Sequence, residues 1–258
     1  MSTPQEAFMG LIKFRALMNT NLSDEKARYI WGKSFIKNSS FVFTKEEVNQ
    51  EVNYKIVIAK KMQKHLLVGN WVKFVGISGS VAAGFAKKKD DIDIFIVVRN
   101  NRAWVYRGII IFRNIFHHTI RTKHDGDNVE NKLCINLICE EKDLKFENDM
   151  FNFHELMYLI PIYNERYLHY IYACNPWLKE EYGIKNDLMI NRVVIESDKN
   201  VVFKVLNSIA FFFQLIFMVI FKHSPEIPRL KINFKRGKIE FFDSNQREKR
   251  LEKYLETV

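Results

Sequence analysis

Two aspartates on one predicted strand are the residues of this sequence best placed to bind a metal ion. Asp91 and Asp93 lie on either side of Ile92, at the start of the apolar run Ile92–Val98. Successive side chains of a strand point to opposite faces of a sheet, so both carboxylates leave the same face. Two carboxylates this close repel each other unless a cation lies between them, and Mg²⁺ prefers oxygen ligands. The pair therefore predicts a site for Mg²⁺ or Mn²⁺.

A glycine-serine pair earlier in the chain has the form of a phosphate-binding turn. Gly79 and Ser80 follow a short apolar run and open a short predicted helix. Amides at a helix start point outward without partners, so the backbone from Gly79 to Val81 can hold phosphate oxygens, and the Ser80 hydroxyl adds a donor. Ten residues separate Ser80 from Asp91, and they include Lys87, whose charge would steer a triphosphate. The two features together predict a site for a nucleoside triphosphate with its Mg²⁺, arranged for in-line attack on the α-phosphorus.

The glycine-serine pair, the ten-residue connection and the Asp-Ile-Asp strand together resemble the GS…DxD signature of the DNA polymerase beta-like nucleotidyltransferase superfamily. Gly84 also fits the GSxxxG form common there. The resemblance covers about residues 71–140 and extends to uncharacterised bacterial members of the superfamily. It implies that the turn holds the triphosphate and that the aspartates bind Mg²⁺. It also implies transfer of a nucleoside monophosphate to an acceptor hydroxyl, with release of pyrophosphate.

The superfamily usually has a third carboxylate on a neighbouring strand, and this sequence departs from that pattern. The matching strand is predicted over Leu133–Cys139, and the aligned position is Asn136. Asparagine offers Mg²⁺ a neutral oxygen but removes one negative charge. Glu140 has the same strand parity and is a candidate metal ligand. The preceding loop offers three further acidic candidates: Asp125, Asp127 and Glu130. Two interpretations stay open: an active transferase whose metal shell Asn136 or Glu140 completes, or a degenerate domain that binds nucleotide or RNA without turnover.

Helical and strand patterns divide the chain into three sections. Residues 1–70 are predicted to be helical, 71–145 to form the nucleotidyltransferase core, and 146–258 to be mainly helical. The predicted strands of the core are Val72–Ile77, Ile92–Val98 and Leu133–Cys139, with a small hairpin later over Leu230–Phe234 and Lys238–Phe242. The predicted helices are Pro4–Met18, Asp24–Lys37, Lys45–Val68, Ala103–Phe116, Asn152–Cys174 and Ser244–Thr257. This order predicts an α/β protein of the α+β type, with a small mixed sheet flanked by helical N- and C-terminal segments.

Composition limits the class of protein and its partners. The chain has 258 residues, 47% hydrophobic and 27% charged, which excludes a disordered or collagen-like chain. The formal net charge of +10 favours a polyanionic partner, which could be nucleic acid, a nucleotide or an anionic membrane surface. The resemblance implies NTP. The acceptor is open among RNA, protein and a small molecule.

Two further features bear on where the protein acts. The three cysteines include no CxxC pair, and the N-terminus lacks the basic start and apolar run of a secretory signal, so we expect a cytoplasmic protein. The run Val205–Phe221 is almost wholly apolar, interrupted by Asn207, Ser208 and Gln214. We expect a buried helix of the C-terminal segment, with membrane contact as the alternative.

Overall fold

The computed structural model describes residues 3–37, 41, 43, 49–122, 125–126, 128–190, 200–220, 227–240 and 244–256. Within these residues the strands are β1 Val72–Ile77, β2 Ile92–Val98, β3 Leu133–Glu140, β4 Ile160–Tyr163 and β5 Lys238–Glu240. The helices of the first half are α1 Pro4–Ala16, α2 Asp24–Trp31, α3 Lys33–Lys37, α4 Gln50–Met62, α5 Gly79–Ala82 and α6 Ala103–His117. Those of the second half are α7 Met150–Tyr158, α8 Arg166–Ala173, α9 Trp177–Glu180, α10 Val201–Ile220, α11 Ile227–Arg236 and α12 Ser244–Leu255.

The strands form one mixed sheet in the order β4-β1-β2-β3-β5. β1 is antiparallel to both β2 and β4, β3 is parallel to β2, and β5 is antiparallel to β3. The parallel pair is connected through α6, because parallel neighbours need a crossover segment. The predicted fold class, a small mixed sheet with helical segments before and after it, is confirmed.

Alternate residues of β2 face two different hydrophobic cores. One face, called here the Ile96 face, is covered by α4, α6 and α10. Its β2 residues are fully buried: Ile92, Ile94, Ile96 and Val98. The other, called the Phe95 face, carries Phe95 and Val97 and is covered by α1, α2, α7 and α8. Each core thus combines helices from before and after the sheet, and the division of the chain at residues 70 and 145 stays a prediction.

The helix predicted over Asn152–Cys174 is wrong, because the structure interrupts it with a strand. α7 ends at Tyr158, β4 follows, and α8 begins at Arg166. Pro161 explains the break, since proline has no amide to donate and disfavours helix in the residue before it. β4 lies at the edge of the sheet, where a strand tolerates proline, and Pro161 pairs with Gly76 of β1.

Two predicted N-terminal helices have different bounds in the structure. The stretch Asp24–Lys37 is divided into α2 and α3 at Gly32, whose φ of 89° is outside the helical range. The helix predicted over Lys45–Val68 corresponds to α4, which begins at Gln50 after the N-cap residue Asn49. Residues 45–48 lie outside the described residues.

The first strand of the predicted C-terminal hairpin is also wrong. Leu230–Phe234 belongs to α11, and the Phe234 ring stacks on Phe211 of α10 at 4.3 Å between centroids. The helix ends at Gly237, whose φ of 81° lets its amide donate back to the carbonyl of Asn233 at 2.9 Å. The second strand does form as β5, and residues 241–242 lie outside the described residues.

The apolar run near the C-terminus forms a helix, but the expectation that it is buried is wrong. α10 packs on α6 along one side, and among residues 201–220 only Asn207 and Met218 are fully buried. α10 covers α6 from the outside rather than filling a core between two layers, so its other side contacts solvent. Phe221, the last residue of the predicted run, lies outside the described residues.

Candidate active site

The antiparallel pairing of β1 with β2 brings the two halves of the sequence motif together. Ile77 at the end of β1 pairs with Ile94 near the start of β2. The amide of Ser78 donates to the carbonyl of Asp93 at 2.9 Å, and α5 begins at the next residue, Gly79. The turn that was predicted to hold phosphate therefore lies directly beside the aspartates.

Gly79 fits this position for two separate reasons. Its φ of 63° is in the left-handed region, which side-chain-bearing residues rarely adopt. A Cβ on Gly79 would also lie 2.1 Å from Oδ2 of Asp93, which is far inside van der Waals contact. The missing side chain is what allows the turn to pack against the carboxylate.

Asp91 and Asp93 form an acidic cluster with Cys134 of β3. One ligand atom from each of the three lies within 4.8 Å of the others, and Cys134 pairs with Asp93 across the parallel strands. Burial, together with the charges of Asp91 and Glu155, raises the pKa of Asp93 to about 7. Burial also raises the pKa of the Cys134 thiol, so this sulfur stays protonated. The two carboxylates fit a hard cation such as Mg²⁺, whereas a protonated thiol does not add a ligand for it.

Asn136 contacts Asp93, but through its donor group. Its Nδ2 donates to Asp93 Oδ1 at 3.0 Å. Asn136 occupies a bulge in β3, because Ile94 pairs with Ile135 whereas Phe95 pairs with Leu137. The bulge lets the Asn136 side chain reach the acidic cluster. Each β3 residue after the bulge faces the side of the sheet opposite to the one that strict alternation predicts.

Glu140 is therefore on the other face of the sheet, and the expectation that it shares the face of the aspartates is wrong. It pairs with Val98, and its Oε1 accepts hydrogen bonds from the amides of Arg102 and Ala103 at 3.0 and 3.2 Å. Its other oxygen lies 2.9 Å from Lys142 Nζ. The fully buried carboxylate caps the start of α6 and is not brought to the acidic cluster.

Two of the loop carboxylates, Asp125 and Glu130, are not brought to the cluster either. Asp125 accepts hydrogen bonds from Thr122 and forms an ion pair with Lys132. The contact with Lys132, together with the hydrogen bonds from Thr122, lowers the pKa of Asp125 to about 2. Glu130 Oε1 lies 3.5 Å from Asn131 Nδ2. Asp127 lies outside the described residues.

Asp90 organises the turn that carries the predicted triphosphate-binding residues. Its Oδ2 accepts from the amide of Lys87 at 2.8 Å and from the Ser80 hydroxyl at 3.5 Å. The Lys87 side chain is exposed, and the Val81 side chain is buried in the core of the Ile96 face, which leaves only its backbone for a ligand.

A buried lysine fixes the loop directly before Asp91. Nζ of Lys55 in α4 donates to the carbonyls of Lys88 and Asp90 at 3.0 and 2.7 Å, and to Oδ1 of Asn131 at 3.0 Å. A buried ammonium group requires such partners. Because three oxygens hold it, Lys55 ties α4 to both loops that border the acidic cluster.

Arg121 contacts the exposed side of the acidic cluster. Its Nη1 lies 2.6 Å from Asp91 Oδ2, and the side chain is 44% exposed. The hydrogen bond to Asp91 raises the pKa of Arg121, so the guanidinium stays charged. In the absence of a metal ion, this arginine balances part of the negative charge of the two aspartates.

A third carboxylate reaches the site from α7. Glu155 Oε2 accepts a hydrogen bond from the amide of Gly79 at 3.3 Å. Gly79 therefore lies between two carboxylates, with Asp93 against its Cα and Glu155 on its amide. Burial raises the pKa of Glu155, but the contacts with His154 and the Gly79 amide outweigh it, so the net shift is downward and the group is ionised.

A buried histidine and arginine orient Glu155. Arg15 Nη1 donates to His154 Nε2 at 3.3 Å, and since arginine has no acceptor, that nitrogen accepts. Burial lowers the pKa of His154, so the ring is neutral and its proton is on Nδ1, 3.4 Å from Glu155 Oε1. Arg15 also donates to the carbonyl of Ala83 at 3.0 Å, which links α1 to the end of α5.

Sequence reasoning did not identify Cys134, Arg121, Glu155 or the pair Arg15 and His154 as parts of the site. A signal existed for Cys134, because its place on the neighbouring strand matches that of Asp93. No local pattern marks Glu155, since α7 follows the aspartates by some sixty residues and reaches them only through tertiary packing.

The family described as nucleotidyltransferase domain matches residues 55–203, which include both aspartates, the Gly79 turn and Glu155. Nothing matches the chain among curated proteins or among solved structures.

Proposed function

Because the chain belongs to the nucleotidyltransferase domain family of the DNA polymerase beta-like superfamily, we propose that it transfers a nucleoside monophosphate from a Mg²⁺-bound NTP to an acceptor hydroxyl. The observation that carries this proposal is the convergence of Asp91, Asp93 and the Gly79 turn at one end of the β1–β2 pair. Catalysis of this kind depends on positioning and charge neutralisation and needs no covalent enzyme intermediate.

The reaction assigns separate roles to the two halves of the site. The acceptor oxygen forms a bond to the α-phosphorus, the bond from the α-phosphorus to its bridging oxygen breaks, and pyrophosphate leaves. The hydroxyl proton passes to solvent or to a carboxylate of the site. Asp91 and Asp93 would hold Mg²⁺, which neutralises phosphate charge during the transfer. The amides from Gly79 to Val81 and the Ser80 hydroxyl would hold phosphate oxygens, and the exposed Lys87 would attract the triphosphate.

Glu155 supplies the negative charge that Asn136 lacks. The Asn136 amide donates to Asp93 and so keeps that carboxylate oriented, while its oxygen is available as a neutral ligand. Glu155 adds an ionised carboxylate on the opposite side of Gly79. In this proposal the third acidic group comes from α7 instead of β3, and a triphosphate that binds the Gly79 amide displaces the Glu155 oxygen from it.

Transfer of label from α-labelled NTPs tests the reaction and its acceptor together. Each of the four NTPs would be incubated with the protein, Mg²⁺ or Mn²⁺, and total RNA, a protein extract or a small-molecule extract. We expect label in one acceptor pool, and a roughly 100-fold or greater loss of transfer in Asp91→Asn/Asp93→Asn. Asp187→Asn is the matched control, because it removes the charge of an exposed carboxylate whose partner is Lys185.

A binding module without turnover is the second candidate function. The observations that favour it are Asn136 at the position of a family carboxylate and Arg121 paired with Asp91. A binding module of this kind would bind NTP with Mg²⁺, and in the labelling experiment all label would stay in the NTP with every acceptor pool. Transfer that persists in Asp91→Asn/Asp93→Asn would contradict both candidate functions at this site.

A further inference from the structure

The outer side of α10 is a large exposed apolar surface. Phe212 and Phe213 are 59% and 66% exposed, and most of the remaining outward residues are apolar as well. These are Val201, Val202, Val205, Leu206, Ile209, Ile216, Phe217, Val219 and Ile220. α10 is also long and apolar enough to cross a membrane by length and composition. An exposed apolar surface of this extent indicates a binding partner.

The inner side of α10 contacts the domain through apolar side chains such as Phe211, which packs on Trp104 of α6, and through two polar side chains that hold the helix in place. Asn207 Oδ1 accepts from the amides of Trp104 and Val105 at 2.8 and 3.3 Å, at the start of α6. Gln214 Nε2 donates to the carbonyl of Trp104 at 2.8 Å, and its oxygen accepts from Arg107. The polar residues that interrupt the apolar run therefore have partners inside the protein. Crossing a bilayer would break these bonds, whereas lying flat on a membrane surface keeps them.

The exposed apolar surface continues onto α6. Ile111 and Ile115 follow Gly108 at helical spacing, and Gly108 is where Gln214 of α10 packs. Phe112 and Phe116 are 63% and 70% exposed and pack edge to face. We call the exposed side chains of α6 and α10 together the apolar surface.

Basic residues lie beside parts of the apolar surface. The sequence has no Asp or Glu over residues 99–124 or 199–225. Lys204 is exposed on α10, and His117 at the end of α6 lies 4.3 Å from the His65 ring. Next to His65, three further exposed lysines lie at the end of α4 and just after it: Lys60, Lys61 and Lys64.

We propose that the apolar surface binds the surface of a membrane containing anionic phospholipids, with α10 lying in the plane of the lipid interface. Exposed phenylalanine, leucine, isoleucine and valine side chains can insert at the boundary between headgroups and acyl chains, while neighbouring lysines stay among the headgroups. Basic residues next to an inserted apolar face add attraction to anionic headgroups. A second copy of the chain would instead place these like charges close together, so charge complementarity favours lipid over self-association. The proposal rests on α6 and α10 and is independent of the proposed nucleotidyl transfer.

Vesicle co-sedimentation tests the proposal on the full chain. Vesicles of phosphatidylcholine mixed with phosphatidylglycerol should bind the protein, vesicles of phosphatidylcholine alone should bind it more weakly, and added salt should weaken the binding. Phe212→Glu/Phe213→Glu should lower the partition coefficient at least about tenfold. Met9→Glu/Leu255→Glu is the matched control, because it makes the same chemical change at exposed positions of α1 and α12 and should leave binding unchanged.

Several outcomes would overturn the proposal. One is the absence of binding to the anionic vesicles, and another is equal loss of binding in the two double variants. Sedimentation velocity without lipid gives a third: a wild-type dimer that Phe212→Glu/Phe213→Glu converts to monomer would identify an interface between copies. Protein that alkaline carbonate cannot release from the vesicles would show that α10 crosses the bilayer. Circular dichroism of both variants verifies that each is folded.

Discussion

The two faces of the sheet bury polar groups in different ways. On the Phe95 face, successive contacts from Arg15 to His154 and from His154 to Glu155 connect α1 to the amide of Gly79. On the Ile96 face, Asn207 and Gln214 connect α10 to the start of α6 through amide hydrogen bonds. The first of these contacts ends at the candidate active site, whereas the second ends at a helix terminus.

This difference indicates that the candidate active site belongs to the Phe95 face of the sheet. On the Phe95 face, three carboxylates lie around the Gly79 turn, and burial together with their mutual repulsion raises the pKa of Asp93. Such an arrangement destabilises the metal-free protein and suits a site that binds a cation. The hydrogen bonds described between α10 and α6 involve side-chain amides and Arg107, not carboxylates. Substitutions there should therefore change stability and membrane binding without changing turnover.

The largest expected effect is that of Gly79→Ala. The new Cβ would lie 2.1 Å from Asp93 Oδ2, and a φ of 63° disfavours alanine by about 1–2 kcal/mol. Displacing the carboxylate by even 1 Å should lower nucleotidyl transfer by roughly 100-fold. Transfer of label from α-labelled NTP under saturating Mg²⁺ measures this loss.

Gly84→Ala is the control for backbone strain alone. Gly84 has a φ of 87°, but a Cβ there meets no atom within 4 Å. We expect a loss of about 1 kcal/mol in the free energy of unfolding and transfer within about twofold of wild type. Equal losses of transfer in the two variants would mean that contact with Asp93 is not what requires glycine at position 79.

The next effect is on stability as a function of pH. The pKa of Asp93 rises from 3.8 to about 7 on folding, so between these values the folded state binds more protons than the unfolded state. Stability that is present below about pH 4 is therefore lost as the pH rises to about 7, by up to about 4 kcal/mol. Urea unfolding in EDTA should show this decline in wild type relative to Asp93→Asn, and Mg²⁺ should remove the difference. A wild type as stable as Asp93→Asn at pH 8 in EDTA would contradict the raised pKa of Asp93.

Much of this site follows from local sequence, because β1, the turn and β2 are consecutive. Gly79 and Asp93 meet through a single antiparallel pairing, and the apolar runs on either side determine that pairing. The bulge at Asn136 could not be predicted from the sequence. The residues of β3 are mostly apolar on both faces, so their pattern is compatible with the strand with or without a one-residue shift in register. That shift is why Glu140 lies on the Ile96 face.

The remaining errors arise where tertiary packing decides the structure. Pro161 was a local signal for the break after α7, but the pairing of β4 with β1 depends on residues more than eighty positions apart. Glu155 reaches Gly79 only because α7 packs on the Phe95 face. The exposure of α10 could not be predicted either, because an apolar run has the same composition in a core and on a surface.

Asn136→Asp should have an intermediate effect. It replaces a donor 3.0 Å from Asp93 with a further carboxylate, so the metal-free protein should lose about 1–3 kcal/mol in the free energy of unfolding. The same charge should tighten Mg²⁺ binding, as measured by titration calorimetry. Asn136→Ala removes the hydrogen bond without adding charge, and Mg²⁺ affinity that is equal in the two variants would exclude position 136 from the metal environment.

The smallest effect should come from Asn207→Ala on the Ile96 face. The substitution leaves the amides of Trp104 and Val105 without their acceptor, so the free energy of unfolding should fall by about 1–2 kcal/mol in chemical denaturation. Ser208→Ala is the neighbouring control, since its hydroxyl donates to the Lys204 carbonyl of the same helix at 2.9 Å, and it should change stability by less than about 0.5 kcal/mol. Transfer of label should be unchanged in both, because neither residue touches the Phe95 face. A drop in turnover with Asn207→Ala would mean that the position of α6 controls the acidic cluster, and that the two faces of the sheet are coupled.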